Sequence, residues 1–372
     1  MDSTAYSPSN PPVLGGITGS SARPVRRPKS VGPSRQNDDM ESPWERIDVS
    51  SWDVASDETE GSEAKFWLEE PRTESHTRWL YKDIVIKNGN EQGEDWSEII
   101  ATQVAMLLHV PCARTRLASR NGHRGSLSRD VAPPGFRHSE GRIVLKDKEV
   151  PGYYPGVDGG PGHDPEHPDV KRPGHTPENI RRALLNVDPP PGFNGPAELT
   201  AFDVFTGYLI LDALIANRDR HEQNWAVLCP ESGDGPELLS PSYDHASCLG
   251  FGLRDSRRSH YAHDPRAFCS WVEKGTAHRF EHRGNKPPSL VVLAGHALGL
   301  CSDEGRQYWF DRVASLSLAP LTDTVLRACR EDEMALIPEM SEAAITFARM
   351  VLETNLRRLR DEFDACAATP KR

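Results

Sequence analysis

An apolar segment that runs directly into a dense polar cluster constrains this 372-residue chain more than any other feature. Large apolar side chains cover most faces of a helix drawn through residues 199–216, which predicts a helix that crosses a hydrophobic core. Residues 217–224 are all polar, and the apolar residues 225–228 predict a short strand. The sequence therefore predicts a polar loop fixed between a buried helix and a strand.

A predicted hairpin returns a further acidic residue to this loop. A Gly-containing turn at residues 231–235 and an apolar pair at 238–239 predict the return strand, which leads to Asp244. Asp219 and Asn224 lie on the loop, and the hairpin is expected to bring Asp244 beside them. Two carboxylates and one carboxamide oxygen at one point suit Mg²⁺, which fills its other positions with water and phosphate oxygens.

A simpler interpretation is that Asp219, His221 and Asn224 only cap the helix and shape a turn. For the Asp-x-x-x-x-Asn spacing alone, this interpretation is the favoured one. The buried helix, the hairpin and the third ligand Asp244 together favour the metal site.

Phosphoryl transfer from ATP uses this arrangement, with one Asp orienting the acceptor hydroxyl and an Asn and a second Asp holding the metals. It also needs a strand Lys for the phosphates and a helical Glu to orient that Lys. Lys82, in a predicted strand at 78–86, and Glu98, on a predicted helix at 95–109, fit these roles. An exposed strand lysine remains the alternative for Lys82. Gly61 and Ser62 predict a turn that covers the phosphates.

The predicted elements divide the chain into a tail and two lobes. Ser, Pro, Gly and Arg dominate the beginning, so residues 1–43 are expected to be a disordered tail. Residues 44–132 predict a small β-rich N-lobe with one helix, which binds the nucleotide phosphates. Residues 133–372 predict a larger, mainly α C-lobe with the catalytic loop, although Pro, Gly and His make residues 152–174 look like a long irregular loop. The expected fold class is α+β, a two-lobed protein-kinase-like fold.

The assembled motifs resemble those of bacterial HipA-like kinases. The similarity lies in residues 202–203, 211–225 and 241–250, and the Asp-Arg-His-x-x-Asn core also resembles the catalytic loop of phosphoinositide kinases. No segment resembles the small extra N-terminal subdomain of the HipA toxin. The family's toxin role, its DNA-bound antitoxin partner and its tRNA-synthetase substrate are therefore not carried over.

The resemblance assigns a role to each candidate residue. Asp219 is implied to be the catalytic aspartate, and His221 to position the γ-phosphate or support the loop. The other implied roles are Mg²⁺ ligation by Asn224 and Asp244, contact of Lys82 with the ATP phosphates, pairing of Glu98 with Lys82, and a phosphate loop at Gly61 and Ser62.

Composition excludes several classes of protein. The net charge of -11 argues against direct nucleic-acid binding, which usually needs a basic surface. The seven cysteines include no C-x-x-C pair, so a zinc site or a disulfide framework is not expected, and a reducing compartment fits better. No apolar run is long enough to span a membrane, and a cytoplasmic location is expected.

The sequence thus predicts a Mg²⁺- and ATP-dependent kinase that phosphorylates Ser or Thr of a protein. The alternatives are a catalytically weak nucleotide-binding regulator, or pseudokinase, and a kinase of a small-molecule acceptor. The basic stretch at residues 253–263 either contacts an acidic acceptor or is a solvated loop, and the loop is favoured. No sequence feature decides which acceptor, protein or small molecule, receives the phosphate.

Overall fold

The N-terminal part of the chain forms a six-stranded mixed sheet with one helix packed on it. The computed structural model describes residues 43–58, 65–71, 77–156, 162–327 and 340–368. The strands in chain order are β1 (Ile47–Asp48), β2 (Asp53–Glu58), β3 (Lys65–Glu69), β4 (Arg78–Asp83), β5 (Ile86–Lys87), β6 (Asn90–Glu91), β7 (Thr115–Arg120), β8 (His123–Arg129), β9 (Phe136–Glu140), β10 (Val170–Lys171), β11 (Ala226–Pro230), β12 (Leu238–Leu239) and β13 (His282–Arg283). The large sheet has the order β1-β7-β8-β4-β3-β2, in which β1 and β7 are parallel and the other pairs antiparallel.

Helices dominate the remainder of the chain. They are α1 (Glu94–Leu108), α2 (Gly141–Asp147), α3 (Pro177–Ala183), α4 (Ala201–Ile215), α5 (Asp255–His263), α6 (Pro265–Glu273), α7 (Leu290–Leu300), α8 (Asp303–Ser315), α9 (Leu318–Arg327) and α10 (Glu342–Ala368). Of the described helices, α1 alone belongs to the N-terminal sheet region, where it packs on β7 and β8. The structure confirms the expected α+β class, with a β-rich N-terminal lobe and a helical C-terminal lobe. None of the described helices is long and apolar enough to cross a bilayer.

The helix α4 is the axis of the helical lobe. Every one of its residues is buried, and it packs against α7, α8 and α10. Its start is fixed by a capping box in which Thr200 and Asp203 exchange hydrogen bonds, and it ends at Ala216, which adopts a left-handed φ of 57°. Gly207 allows Trp309 to pack closely, because a Cβ at this position would lie 2.3 Å from the indole. The predicted core helix at 199–216 is confirmed.

Hydrogen bonds join the two lobes. Ser97 Oγ on α1 donates a 2.6 Å hydrogen bond to the carbonyl of Ala246, and the amide of Gly93 donates to the carbonyl of Phe251. The amide of Leu249 in turn donates to the carbonyl of Ile215, the last residue of α4. The segment after β12 is therefore fixed to a helix of each lobe.

Two stretches contain more regular structure than the sequence indicated. Residues 253–263, for which a solvated loop was favoured, contain α5 (Asp255–His263), which packs on α10. The Pro/Gly-rich stretch at residues 133–195 contributes β9, α2, β10 and α3. Of these elements β10 lies within residues 152–174, the predicted irregular loop, and it pairs with β13 of the C-terminal half. Local patterning missed these elements because they are short and are stabilised by distant partners. The predicted tail at 1–43 lies outside the described residues, except for residue 43.

Candidate active site

A buried ion pair shapes the polar loop that follows α4. The guanidinium of Arg220 is almost fully buried, and it donates from Nε to Asp212 Oδ2 at 2.8 Å and from Nη1 to the carbonyl of Asn224 at 2.6 Å. Asn217 Nδ2 also donates to Asp212, at 2.8 Å. Burial lowers the pKa of Arg220, but the Asp212 carboxylate more than offsets this, so the pKa lies above its ordinary value. The last turn of α4 therefore holds both ends of the loop.

Removal of Asp212 should destabilise the fold strongly. Asp212→Ala leaves the buried guanidinium without its carboxylate, and we expect the free energy of unfolding to fall by about 3 kcal/mol. Asp169→Ala is the matched control, because Asp169 also pairs with an arginine, Arg283, but both side chains are exposed, 57% and 70%. Its loss should cost less than about 1 kcal/mol. Urea unfolding measures both values, and equal losses would contradict a special role for the buried pair.

The loop presents Asp219, His221 and Asn224 from one tight turn. Asn224 Nδ2 donates to the carbonyl of Asp219 at 2.8 Å, which leaves the amide oxygen as the free acceptor of this side chain. Burial lowers the pKa of His221, although Asp219 opposes this effect, so the imidazole is neutral near pH 7. Its Nδ1 accepts from the amide of Gln223 at 3.2 Å, and the ring proton therefore lies on Nε2.

The hairpin β11–β12 returns the chain to Asp244, as predicted. Asp244 adopts a left-handed φ of 59°, and its Oδ1 accepts a 2.6 Å hydrogen bond from Lys82 Nζ on β4. Burial raises the pKa of Asp244, but the Lys82 ammonium and the charge of Lys65 outweigh burial and hold the pKa well below its ordinary value. Asp244 is therefore ionised, and a strand of one lobe is joined to the loop of the other.

Glu98 is buried, but its contact differs from the predicted one. Its Oε1 lies 3.5 Å from His245 Nδ1, and His245 Nε2 is hydrogen bonded to Ser242 Oγ at 2.7 Å. Lys82 instead pairs with Asp244. Neither Glu98 Oε1 nor His245 Nδ1 has a hydrogen-bond partner among the described residues. Both Glu98 and Lys82 nevertheless line the same cavity.

That cavity is a cleft of about 1100 Å³ between the sheet and the helical lobe. Five of the eight predicted residues line it: Lys82, Glu98, His221, Asn224 and Asp244. Lys65, which lies opposite Lys82 in the β3–β4 register, adds a second ammonium to the same wall. Asp219 lies at the neighbouring turn, outside the lining. Gly61 and Ser62 lie outside the residues that the structure describes.

The donor set suits a hard divalent cation. Asp244 supplies an ionised carboxylate and Asn224 an unused amide oxygen, and both face the cleft. Mg²⁺ binds proteins through one or two such oxygens and takes its other ligands from water and phosphate. Groups of three His, Cys, Asp or Glu side chains suited to a metal do not occur in the described parts of the chain.

Two parts of the site were not foreseen from the sequence. Arg279, from the loop between α6 and β13, donates from Nε to Asp219 Oδ1 at 2.7 Å. Its position 60 residues from Asp219 gives no local signal. The second part is a set of apolar residues that line the cleft, Leu80, Val131, Ala132 and Phe136, of which all but Leu80 lie at or just before β9. In the sequence, the local sign of this apolar surface is the pair Val131-Ala132, which precedes two prolines.

Comparison with known proteins finds matches among solved structures but not among family models or curated sequences. No protein-family model matches the sequence, and no curated protein matches it. The solved structure of the proinflammatory kinase CtkA from Helicobacter pylori matches with a TM-score of 0.59 and 12% identity, over 88% of this chain and 100% of CtkA. The HipA of Shewanella oneidensis MR-1, in a complex with HipB and operator DNA, matches with a TM-score of 0.49 and 12% identity, over 87% of this chain and 70% of HipA.

The match to CtkA extends over 88% of this chain, and its 12% identity limits the conclusion to the fold. The expected resemblance is thus one of fold, which the CtkA structure shares. The chain has a two-lobed kinase-like fold.

Proposed function

We propose that the protein is a Mg²⁺- and ATP-dependent kinase that phosphorylates Ser or Thr of a protein acceptor. The observation that carries this proposal is the meeting of Lys82, Asn224 and Asp244 in one cleft, with Asp219 on the adjoining turn. The fold likeness to a kinase supports it. In this proposal residues 44–132 form the phosphate-binding lobe, and residues 133–372 carry the catalytic loop and the metal ligands.

The cleft offers each part of ATP a suitable surface. The apolar lining residues Leu80, Val131 and Phe136 suit a purine ring, and the ammonium groups of Lys65 and Lys82 suit the phosphates. Asn224 and Asp244 would hold Mg²⁺, which would supply positive charge to offset the negative charge of the phosphates. Because Lys82 already pairs with Asp244, the ammonium is held at the point where phosphate and metal would meet.

Asp219 is proposed to receive the acceptor hydroxyl. Its Oδ1 accepts from Arg279, whereas Oδ2 has no partner among the described residues and is open to a hydroxyl group. The hydroxyl oxygen bonds to the γ-phosphorus, and the bond from phosphorus to the β–γ bridging oxygen breaks with its electron pair on ADP. The hydroxyl proton passes to Asp219 and then to water. Catalysis is mostly positioning and charge stabilisation.

Transfer of the γ-phosphate tests the proposal directly. The purified protein is incubated with γ-labelled ATP and a dephosphorylated protein pool, with Mg²⁺ or with excess EDTA, and phosphoamino acids are analysed. We expect label on Ser or Thr with Mg²⁺ and none with EDTA. A protein that binds ATP but transfers nothing, to itself or to the pool, would contradict the kinase activity. Label on small molecules alone would contradict a protein acceptor.

Lys82→Met should weaken ATP binding. The variant loses an ammonium that faces the phosphates and leaves Asp244 without its cation, so we expect the Kd for ATP to rise by about 10-fold. Calorimetric titration with the non-hydrolysable analogue AMP-PNP measures this change. Lys87→Met, at an exposed lysine of β5, is the control and should bind like the wild type. Equal affinities of the two variants would exclude Lys82 from the phosphate site.

A further inference from the structure

We propose that Arg279 is a catalytic residue that holds Asp219 on one side and contacts the transferred phosphoryl group on the other. This inference deepens the proposed function and rests on it. Arg279 Nε donates to Asp219 Oδ1 at 2.7 Å, and Nη2 lies close to the same oxygen. The Arg279 and Asp219 side chains are 29% and 30% exposed, so a substrate can reach the pair.

The backbone of Arg279 is fixed by a buried histidine. The carbonyl of Arg279 accepts from Nδ1 of His175, at 2.8 Å, and the amide of Glu281 donates to the carbonyl of the same histidine. Phe280 stacks on the imidazole with ring centroids 4.5 Å apart. His175 belongs to the Pro/Gly-rich stretch before α3, which therefore has a definite place in the site.

The same histidine connects Arg279 to the catalytic loop. Trp225 Nε1 donates to His175 Nε2 at 3.2 Å, and Trp225 directly follows the proposed metal ligand Asn224. Both ring nitrogens of His175 thus have partners that suit a neutral imidazole, and burial lowers its pKa accordingly. One rigid side chain sets the position of the Arg279 loop relative to the metal ligand. A surface ion pair without function would not need such a support.

The geometry of the pair suits catalysis rather than mere neutralisation. Both contacting nitrogens of Arg279 approach Oδ1, so Asp219 Oδ2 stays open for the acceptor hydroxyl. Nη1 has no partner in the described part of the chain. A guanidinium has five N–H donors in a fixed plane, so Arg279 can hold Asp219 and still donate to a phosphoryl oxygen. Each of the two aspartates of the site thus forms an ion pair with its own cation. Asp244 pairs with Lys82, and Asp219 pairs with Arg279.

During transfer, negative charge spreads over the three equatorial oxygens of the phosphoryl group. A guanidinium beside the attacking oxygen stabilises this charge, as an arginine supplied in cis does in other phosphoryl-transfer enzymes. The bonds made and broken are those given above for the proposed kinase, and Arg279 neither gains nor loses a proton. Its contribution should therefore appear in kcat and not in the affinity for ATP.

The test compares Arg279→Ala, Arg279→Lys and Arg283→Ala with the wild type. Arg283 is a matched control on β13, because it too pairs with an aspartate, Asp169, at 3.3 Å. For Arg279→Ala we expect kcat to fall by about 100-fold, with Kd for Mg²⁺-ATP and the melting temperature unchanged. Arg279→Lys should retain part of kcat, Arg283→Ala all of it, and added guanidinium ion should raise kcat of Arg279→Ala above a sodium chloride control.

Each outcome decides the inference. If kcat of Arg279→Ala stays close to that of the wild type, Arg279 is not catalytic. A loss that neither lysine nor guanidinium ion recovers would make the role of Arg279 structural and also overturn the inference. An inactive wild type that still binds ATP would contradict the proposed kinase itself. An active wild type with an unaffected Arg279→Ala variant would contradict only the role of Arg279.

Discussion

Asp219→Asn should lower kcat for phosphoryl transfer by about 1000-fold, because the amide can neither accept the hydroxyl proton nor attract it. The change is nearly isosteric, and Asp219 lies beside the cleft and not in its lining. We therefore expect the Kd for Mg²⁺-ATP to stay within about 3-fold of the wild-type value. Single-turnover transfer of labelled phosphate measures the rate, and calorimetric titration measures the affinity.

Asp169→Asn is the control for this variant. Asp169 also pairs with an arginine, Arg283, but this pair is exposed, with side-chain exposures of 70% for Arg283 and 57% for Asp169. The control removes one carboxylate from an Asp–Arg pair outside the cleft, so its rate should equal that of the wild type. If Asp219→Asn retained more than about a tenth of kcat, the proposed general-base role would be wrong.

The central motif could be predicted from the sequence because it is built from neighbours along the chain. Residues 199–228 are a buried helix, a tight turn and a strand, and each is specified by local periodicity and spacing. The hairpin that returns Asp244 is also local, since β11 pairs directly with β12. Short-range geometry therefore sufficed to bring Asp244 to the loop.

Contacts between distant segments escaped prediction. Arg279 meets Asp219 across 60 residues, and His175 meets Arg279 across 104. Nothing in the pattern around Arg279 separates it from the other arginines of the chain. The ribbon of β10 and β13, two residues per strand, exists only because the segments are brought together by the core. Propensity cannot specify so short an element.

The contact partner of Lys82 shows a second limit of prediction from the sequence. The strand and the helix were predicted, and so was the presence of Lys82 and Glu98 at the cleft. Which acid the ammonium contacts depends on small rotations of long side chains, and in the structure Lys82 contacts Asp244 while Glu98 faces His245. A metal ion bound at Asp244 would compete with the Lys82 ammonium for the carboxylate, so the Asp244→Asn variant should respond differently to Mg²⁺.

Asp244→Asn should abolish the effect of Mg²⁺ on the affinity for ATP. The ionised carboxylate is the one negative ligand proposed for the metal, and its amide replacement keeps the shape but not the charge. Loss of several kcal/mol of charge stabilisation predicts a fall in kcat of about 1000-fold or more. In the wild type, Mg²⁺ should lower the Kd for ATP, whereas in Asp244→Asn the Kd should be the same with Mg²⁺ and with EDTA.

The dependence of the Kd for ATP on Mg²⁺ distinguishes Asp244→Asn from Asp219→Asn. Both variants should lose activity, but only Asp244→Asn should lose this dependence. Asp234→Asn is the control, because Asp234 lies exposed in the turn of the same hairpin, between β11 and β12. It should show the wild-type dependence on Mg²⁺. If Asp244→Asn still bound ATP more tightly with Mg²⁺, Asp244 would not be a metal ligand. The ion pair between Lys82 and Asp244, which lowers the pKa of Asp244, would then serve only to join the two lobes.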